Sequence, residues 1–171
     1  MKSVYLAGPD VFRADADQAF GSLLAKCSER GLLGLVPSDG GLSRGFEGSP
    51  REVAERIYQE NLALIARADA ALANACAFRG VEPDSGTAFE IGYARALGKP
   101  IAIVEPTGLL HEERVERACG SRLVGGEPFC KAENLRVESF GLPLNLMLAF
   151  SGSCHRGVDE ALDDLARRLG L

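Results

Sequence analysis

The carboxylate of Glu90 is the side chain in this sequence best placed to do chemistry. It lies in residues 85–97, whose pattern predicts a helix, and the residues one turn before and after it are glycine, threonine, tyrosine and alanine. None of them is a cation, so no ion pair forms at that spacing. Desolvating a carboxylate between Phe89 and Ile91 costs free energy, and such a cost is usually tolerated where the group has a function. Glu90 is therefore a candidate catalytic group; the alternative is a solvated glutamate on the outer face of the helix.

Tyr5 lies in the first predicted strand, just before a Gly8-Pro9 turn. If that strand neighbours the third strand, the Tyr5 hydroxyl reaches Glu90 and orients it. The alternative is a tyrosine packed in the sheet because of its β propensity. Phe12 and Phe78 each follow a strand end, where an aromatic ring either stacks on a planar ligand or belongs to the core. Arg79 lies in the same predicted crevice.

The elements that must position these side chains follow an α/β pattern, in which short apolar runs alternate with longer amphipathic segments. We predict strands at residues 3–7, 33–36, 70–75 and 101–104, with an edge strand at 135–140. We predict helices at residues 15–30, 50–68, 85–97, 112–119, 144–150 and 158–169, the second capped by Ser49. Strands joined through helices pair in parallel, and such sheets bind ligands beyond their carboxyl ends, where strand order reverses. Residues 8–12, 38–49 and 76–84 leave strands at that edge.

Composition narrows the classes of function. The chain of 171 residues suits a single domain over 1–171, and its net charge of -5 disfavours nucleic acid and anionic membranes as partners. Five cysteines without C-x-x-C spacing, and no signal peptide, favour a reduced, cytoplasmic protein. The two histidines have no ligand-spaced partners, so we expect no metal. Phosphate-binding fingerprints such as G-x-G-x-x-G are absent from the sequence, so we expect no cofactor.

Four motifs resemble the nucleoside 2-deoxyribosyltransferase family, in the family's order, within a stretch from residue 4 to about residue 150. They are residues 5–12 (YLAGPDVF), 78–80 (FRG), 84–94 (DSGTAFEIGYA) and 141–147 (GLPLNLM). The Asp-to-Glu block and the Asn-Leu-Met block are together the most specific. The resemblance implies a flavodoxin-like three-layer sandwich with a mostly parallel five-stranded sheet. It also implies transfer of 2-deoxyribose between nucleobases with retained anomeric configuration.

By this resemblance Glu90 is the nucleophile that forms a deoxyribosyl ester, a two-step displacement like that of retaining glycosidases. Tyr5 orients it, and Asp84 holds the 5-hydroxyl of the sugar. Related deoxynucleotide N-glycosidases carry serine at the Asp84 position, where it contacts a phosphate. A carboxylate there would repel a phosphate, so we predict nucleosides over nucleotides. The helix N-cap is the structural alternative for Asp84. The motifs also place Gly8, Phe12, Phe78, Arg79 and Gly86 in the substrate site.

One position departs from the family pattern. Some relatives carry an aspartate that protonates the leaving base, and the matching residue here is Asn61, which cannot deliver a proton at neutral pH. Asp10, a water molecule or solvent must then supply the proton, and we favour Asp10. Asn145 and Met147 match residues that enter a neighbouring subunit's site, which implies a homodimer or a higher oligomer.

Two other functions remain open from the sequence. Capture of the glycosyl-enzyme by water would make the protein a deoxynucleoside or deoxynucleotide N-glycosidase, and the loop at residues 38–49 would decide how well water is excluded. A non-catalytic nucleoside sensor on the same sheet is a further alternative, which the presence of Glu90 disfavours. The start of the chain is similar to relatives that handle purines.

Overall fold

A five-stranded parallel sheet forms the centre of the computed structural model, which describes residues 1–37 and 47–171. The strands of the described part are β1 (Lys2–Ala7), β2 (Leu32–Leu35), β3 (Ala70–Asn74), β4 (Ile101–Val104), β5 (Ser121–Val124), β6 (Glu127–Cys130) and β7 (Ser153–His155). Its helices are α1 (Ala16–Glu29), α2 (Pro50–Arg67), α3 (Ser85–Ala96), α4 (His111–Cys119), α5 (Leu146–Ala149) and α6 (Val158–Arg168), with a 3-10 turn at Pro9–Phe12.

The strand order of the sheet is β2-β1-β3-β4-β7, which is the flavodoxin-like order. All four pairings are parallel, so the sheet is wholly rather than mostly parallel. The strand order reverses between β1 and β3, and these two strands are neighbours, so the condition for Tyr5 to reach Glu90 is met. The crevice at their carboxyl ends is the place where such sheets bind ligands.

Alternation along β1 divides the core into two layers, because successive side chains of a strand point to opposite faces. Val4 and Leu6 pack with α1 and α6 on one face of the sheet. Tyr5 and Ala7 pack with α2 and α3 on the other face. The three-layer sandwich is thus confirmed, and it directs Tyr5 towards the helix that carries Glu90.

Local signals set the ends of the two helices that border the crevice. Ser49 caps α2 through a capping box: its side chain accepts from the backbone N–H of Glu52, and the Glu52 carboxylate accepts from the Ser49 backbone N–H at 2.8 Å. Pro50 occupies the first helical position, as predicted. The N-cap of α3 is Asp84, whose carboxylate accepts from the backbone N–H of Thr87 at 2.9 Å.

The predicted edge strand at residues 135–140 is wrong. Within that segment Arg136 makes only an isolated antiparallel bridge to Phe129, and Val137 packs into a small apolar cluster with Val115 and Cys130. The fifth strand of the sheet is instead β7, which pairs with β4. Its three residues are Ser153, Cys154 and His155, too short and too polar to give the apolar pattern of a strand. The two strands of the β5–β6 hairpin likewise lack the apolar sequence pattern that predicts a strand.

Asp69 fixes the start of β3 against β1 and gives a stability prediction. Its carboxylate accepts from the Ser3 backbone N–H at 2.8 Å and from Lys2 Nζ at 2.9 Å, and these bonds lower the pKa of Asp69 from 3.8 to about 2. A lowered pKa stabilises the fold above the unfolded-state value, and the gain is lost as the pH falls through the folded-state value.

We expect Asp69→Asn to lower the free energy of unfolding by about 1 kcal/mol near neutral pH, a value discounted because the Asp69 side chain is 32% exposed. The difference from wild type should shrink as the pH falls and be largely lost at about pH 2. Urea unfolding of both proteins at the two pH values measures it, and a pH-independent difference would contradict the assignment.

Candidate active site

Glu90 and Tyr5 meet at the floor of the crevice between β1 and β3. The Tyr5 hydroxyl donates to Glu90 Oε1 at 2.5 Å, and the Tyr5 side chain is fully buried. Glu90 itself is half-buried on the second turn of α3. The predicted contact is therefore present, and the alternative of a solvated glutamate on the outer face is wrong. A charge-assisted hydrogen bond of this kind holds one carboxylate oxygen in a fixed orientation.

The cleft above Glu90 has a volume of about 230 Å³. One wall is the face of α2 formed by residues 58, 61, 62 and 65, and the opposite side comes from the first turns of α3 and the turn after β1. The lining residues are Gly8, Val11, Phe12, Pro37, Tyr58, Asn61, Leu62, Ile65, Asp84, Gly86, Thr87, Phe89 and Glu90. Apolar walls with a few polar groups are typical of a small-molecule site. Residues 38–46, which include most of the predicted water-excluding loop, lie outside the described residues.

Six residues predicted for the site line this cleft: Gly8, Phe12, Asn61, Asp84, Gly86 and Glu90. The sequence reasoning missed the aromatic residues Tyr58 and Phe89, whose rings lie 6.1 Å apart. A signal for the α2 wall was present, because residues 58, 61, 62 and 65 share one helical face with i, i+3, i+4 and i+7 spacing. An asparagine in the middle of that apolar face marks it as more than a core contact.

Asp84 lies at the junction of β3's exit loop with α3, so its carboxylate has two possible tasks. Oδ2 accepts from the backbone N–H of Thr87 at 2.9 Å and from Thr87 Oγ1 at 3.2 Å. The N-cap alternative is thus confirmed as a structural role. The carboxylate also borders the cleft, so the cap does not exclude a role in substrate binding.

Gly8 brings β1 and β3 together at the mouth of the cleft. Its φ of 154° is unfavourable for other residues, and a Cβ there would lie 2.8 Å from the Cβ of Asn74. A side chain at position 8 would therefore push the turn at Pro9–Phe12 away from β3. Glycine is required at this position for the close approach of the two strand ends.

Phe12, Phe78 and Arg79 form a stack beside the cleft. The two phenyl rings lie 5.3 Å apart at 26°, and the Arg79 guanidinium lies 4.6 Å from the centre of the Phe78 ring. Phe12 lines the cleft and is 58% exposed, whereas Phe78 and Arg79 line a neighbouring cavity. The structure therefore places only Phe12 where it can touch a ligand beside Glu90, with Phe78 supporting its ring from behind.

Asp10 does not line the Glu90 cleft. Asp10 Oδ2 accepts from Asn74 Nδ2 at 2.8 Å. Together with Arg13 and Lys26, Asp10 borders a different cavity, on the α1 and α6 face of the sheet. The Asn74 side chain also accepts from the backbone N–H of Cys76 at 3.2 Å. This geometry gives Asp10 a structural task at the strand ends and offers no direct support for its predicted role as an acid.

Asn145 and Met147 also lie away from the Glu90 cleft. Asn145 caps α5 by accepting from the backbone N–H of Met147 at 2.9 Å, and the Met147 side chain is 71% exposed. Both border a shallow cavity with Ala88 and Gly92 on the outer side of α3. Neither residue lines the Glu90 cleft of its own chain, whereas the exposed Met147 side chain is accessible to another subunit.

Removing the hydroxyl of Tyr5 is expected to impair chemistry more than substrate binding. We expect Tyr5→Phe to lower kcat about tenfold to a hundredfold with little change in KM, because Glu90 loses the donor that orients it. Steady-state kinetics measure this, with Tyr93→Phe as the matched control: Tyr93 does not itself line the cleft, and phenylalanine keeps the ring that stacks on Phe89. A kcat equal to wild type would contradict the orienting role of Tyr5.

Comparison with known proteins identifies the family of the chain. The family model described as nucleoside 2-deoxyribosyltransferase matches residues 4–147, a stretch that contains Tyr5, Asp84, Glu90 and Met147. The chain belongs to the nucleoside 2-deoxyribosyltransferase family. Membership supports a deoxyribosyltransferase type of activity at the level of the family.

Relatives and solved structures extend this finding. An uncharacterized protein of Schizosaccharomyces pombe is 32% identical over 190 residues, covering 97% of this chain and 89% of that protein. The structure of a 2-deoxyribosyltransferase from Leishmania mexicana matches with a TM-score of 0.74 and 27% identity, over 98% of both chains. A 2-deoxyribosyltransferase from Bacillus psychrosaccharolyticus shares the fold, with a TM-score of 0.60 and 20% identity over 94% of this chain and 90% of that one.

Two further observations concern metals and membranes. Within residues 1–37 and 47–171, no three His, Cys, Asp or Glu side chains are grouped so that they could hold a metal ion. None of the described helices combines the length and the apolar character needed to cross a bilayer.

Proposed function

We propose that the protein transfers 2-deoxyribose between nucleobases, with Glu90 as the covalent nucleophile. The observation that carries this proposal is the hydrogen bond from the buried Tyr5 hydroxyl to Glu90 Oε1 at the floor of a cleft. One carboxylate oxygen is fixed by the tyrosine, and the carboxylate faces a space bordered by Asp84. A sugar in that space would present its anomeric carbon to Glu90 and its 5-hydroxyl to Asp84.

The proposed reaction has two displacements. A Glu90 oxygen forms an ester bond to the anomeric carbon while the bond from that carbon to the base nitrogen breaks, and the bonding electrons leave with the base. A second base then attacks the same carbon from the face that the first base left and gives its ring-nitrogen proton to solvent, while the bond from the carbon to Glu90 breaks and its electrons return to the carboxylate. Two inversions give retention of configuration. A 2-deoxy sugar carries no hydroxyl next to the attacked carbon, which allows the carboxylate to approach.

The departing base takes its proton from solvent in this proposal. The α2 wall offers the Asn61 amide, which cannot deliver a proton at neutral pH. Asp10, which the sequence favoured, has its carboxylate against Asn74 on the other side of the strand ends. Asn61 is then a hydrogen-bonding partner of the base rather than its acid, and Phe12 provides a flat surface for stacking.

The substrates in this proposal are deoxynucleosides and free nucleobases, with purines favoured. The apolar side chains of Val11, Phe12 and Leu62 line the cleft, so a planar base would have apolar surface to pack against. The similarity of residues 5–12 to relatives that handle purines supports the preference. The carboxylate of Asp84 supports nucleosides over nucleotides, because it would repel a 5-phosphate.

A homodimer or a higher oligomer completes the site in this proposal, with Asn145 and Met147 reaching the neighbouring subunit's cleft. Their position on the outer side of α3, outside their own cleft, supports this. Mixing Glu90→Gln chains with chains that carry both Asn145→Ala and Met147→Ala should restore about a quarter of wild-type activity, because half of the dimers then hold one complete site. No restoration, or a monomer in sedimentation, would contradict the arrangement.

Hydrolysis is the second candidate function, because water could attack the same glycosyl ester. Incubating the protein with deoxyinosine, with and without adenine, separates the two reactions by chromatography of the products. Transfer predicts deoxyadenosine whenever adenine is present. Release of hypoxanthine and free deoxyribose at the same rate with and without adenine would identify a hydrolase. Binding of deoxyinosine without any product would identify a sensor.

A further inference from the structure

His111 joins two segments that carry residues of the proposed site. Its Nε2 lies 2.6 Å from Glu82 Oε1, in the loop between β3 and α3. Its Nδ1 lies 3.4 Å from the backbone oxygen of Glu138, in the segment before α5. The His111 backbone N–H donates to the Leu142 oxygen at 2.8 Å. The His111 residue is 7% exposed, whereas the Glu82 side chain is 52% exposed, so the ring is buried and its contact with Glu82 borders solvent.

Both partners of the imidazole are close in sequence to proposed functional residues. Glu82 precedes Asp84, the N-cap of α3, by two residues. The Glu138 carboxylate accepts from the backbone N–H of Leu146 at 3.0 Å, at the first residue of α5, next to Asn145. A short chain of contacts thus runs from the Asp84 loop through His111 to the start of α5.

We propose that His111 is a positioning residue for sugar recognition. Its contacts link the loop carrying Asp84 to the segment carrying Asn145, and we call this link the tie. The inference rests on the proposed function where it concerns the sugar, and on the contacts alone where it concerns the tie. His111 is buried and does not itself line the Glu90 cleft, so its proposed role is to position other residues.

The protonated form of the imidazole suits this task. Both ring nitrogens face oxygen atoms, and only the imidazolium donates from both. A neutral ring has one N–H, so it would set a lone pair against one of the two oxygens. The hydrogen bond with Glu82 raises the pKa of His111 against the opposing effect of burial. The tie is therefore complete while His111 is protonated and Glu82 is ionised, and it weakens as the pH rises through the raised pKa of His111.

The charged surroundings of His111 come from three elements. On its own helix, Arg114 lies close enough to oppose protonation, and it pairs with the buried Glu105 at 3.6 Å. From the loop before α3, Glu82 favours protonation. The cavity beside the ring also receives charged side chains from that loop and from the segment after β6, namely Arg79, Glu133, Arg136 and Glu138.

The kinetic test compares deoxyinosine with its analogue that lacks the 5-hydroxyl. We expect His111→Gln to lower kcat/KM for deoxyinosine about tenfold, and to change the value for the analogue less than twofold, because the analogue makes no contact with Asp84. Glu82→Gln should repeat this pattern. His155→Gln is the matched control, since His155 is the other histidine of the chain and lies near Asp164 at the sheet edge, and it should alter neither value.

A second measurement follows the tie without relying on activity. Hydrogen exchange at the Thr87 and Leu146 amides should be faster in His111→Gln than in wild type, and unchanged in His155→Gln. In wild type, exchange beyond the intrinsic pH effect should increase as the pH rises through the His111 titration, followed by NMR of the imidazole.

The outcomes separate the two proposals. Equal losses for both substrates in His111→Gln, or exchange unchanged at both amides, would overturn the positioning role. If wild type turns over neither substrate, the proposed function fails, and the exchange measurement still decides whether His111 ties the two segments. Faster exchange at both amides together with a loss confined to deoxyinosine supports the full inference.

Discussion

Glu90→Gln is expected to lower kcat/KM for deoxyribosyl transfer by about four orders of magnitude or more, because the amide cannot form the glycosyl ester. Glutamine keeps the size of the side chain and an oxygen that can accept from Tyr5, so the fold and substrate binding should persist. Single-turnover kinetics with deoxyinosine and adenine measure the loss of chemistry, and calorimetric titration with deoxyinosine measures the binding that remains.

Glu55→Gln is the matched control for this prediction. Glu55 is an exposed glutamate on α2 outside the cleft lining, so its substitution removes the same charge without touching the site. Its activity should equal that of wild type. A Glu90→Gln protein that keeps more than about a tenth of wild-type activity would contradict a covalent role, since removal of a nucleophile costs far more.

Asp84→Ser is expected to shift specificity from deoxynucleosides towards deoxynucleoside monophosphates by roughly a hundredfold, because like charges brought together unpaired cost several kcal/mol. Serine is also a good N-cap, so the change should alter the free energy of unfolding by only about 0.5 kcal/mol. The ratio of kcat/KM for deoxyinosine and its 5-monophosphate measures the shift, and thermal unfolding checks the cap.

Asp84→Asn separates charge from geometry at the same position. Asparagine can still cap α3 and can hydrogen-bond the 5-hydroxyl, but it carries no charge to repel a phosphate. We expect it to relax the discrimination against the monophosphate while keeping more nucleoside activity than Asp84→Ser. A preference for the monophosphate already present in wild type would contradict the role assigned to Asp84.

Much of the architecture follows from local patterns in the sequence. The α2 boundaries rest on the Ser49 capping box and Pro50, and β4 is a run of apolar residues ended by Glu105-Pro106, so both lie close to the predicted bounds. Strand β7 lacks such a signal. It is held in the sheet by pairing with β4 and by the Ser153 hydroxyl, which donates to Asp164 at 2.6 Å. Tertiary contacts of this kind are not encoded in a three-residue pattern.

The site divides in a similar way. The contact of Tyr5 with Glu90 spans 85 residues, and the sequence predicts it only on the condition that β1 neighbours β3, which the structure shows. The placement of Asp10 depends instead on which way the turn after Gly8 rotates. The hydrogen bond between Asp10 and Asn74 fixes the orientation of this turn, and no sequence pattern around residue 10 predicts that bond. The tie through His111 likewise depends on the placement of α4 beside the loop before α3.

Trapping the covalent intermediate tests directly whether Glu90 forms the deoxyribosyl ester. The protein would be mixed with deoxyinosine in the absence of an acceptor base, quenched in acid, digested, and its peptides measured by mass spectrometry. If Glu90 is the nucleophile, the peptide containing Glu90 gains the mass of one deoxyribosyl group, and the gain disappears when adenine is added before the quench. Turnover with no deoxyribosyl group on any peptide, or with the group on a different residue, would contradict that role.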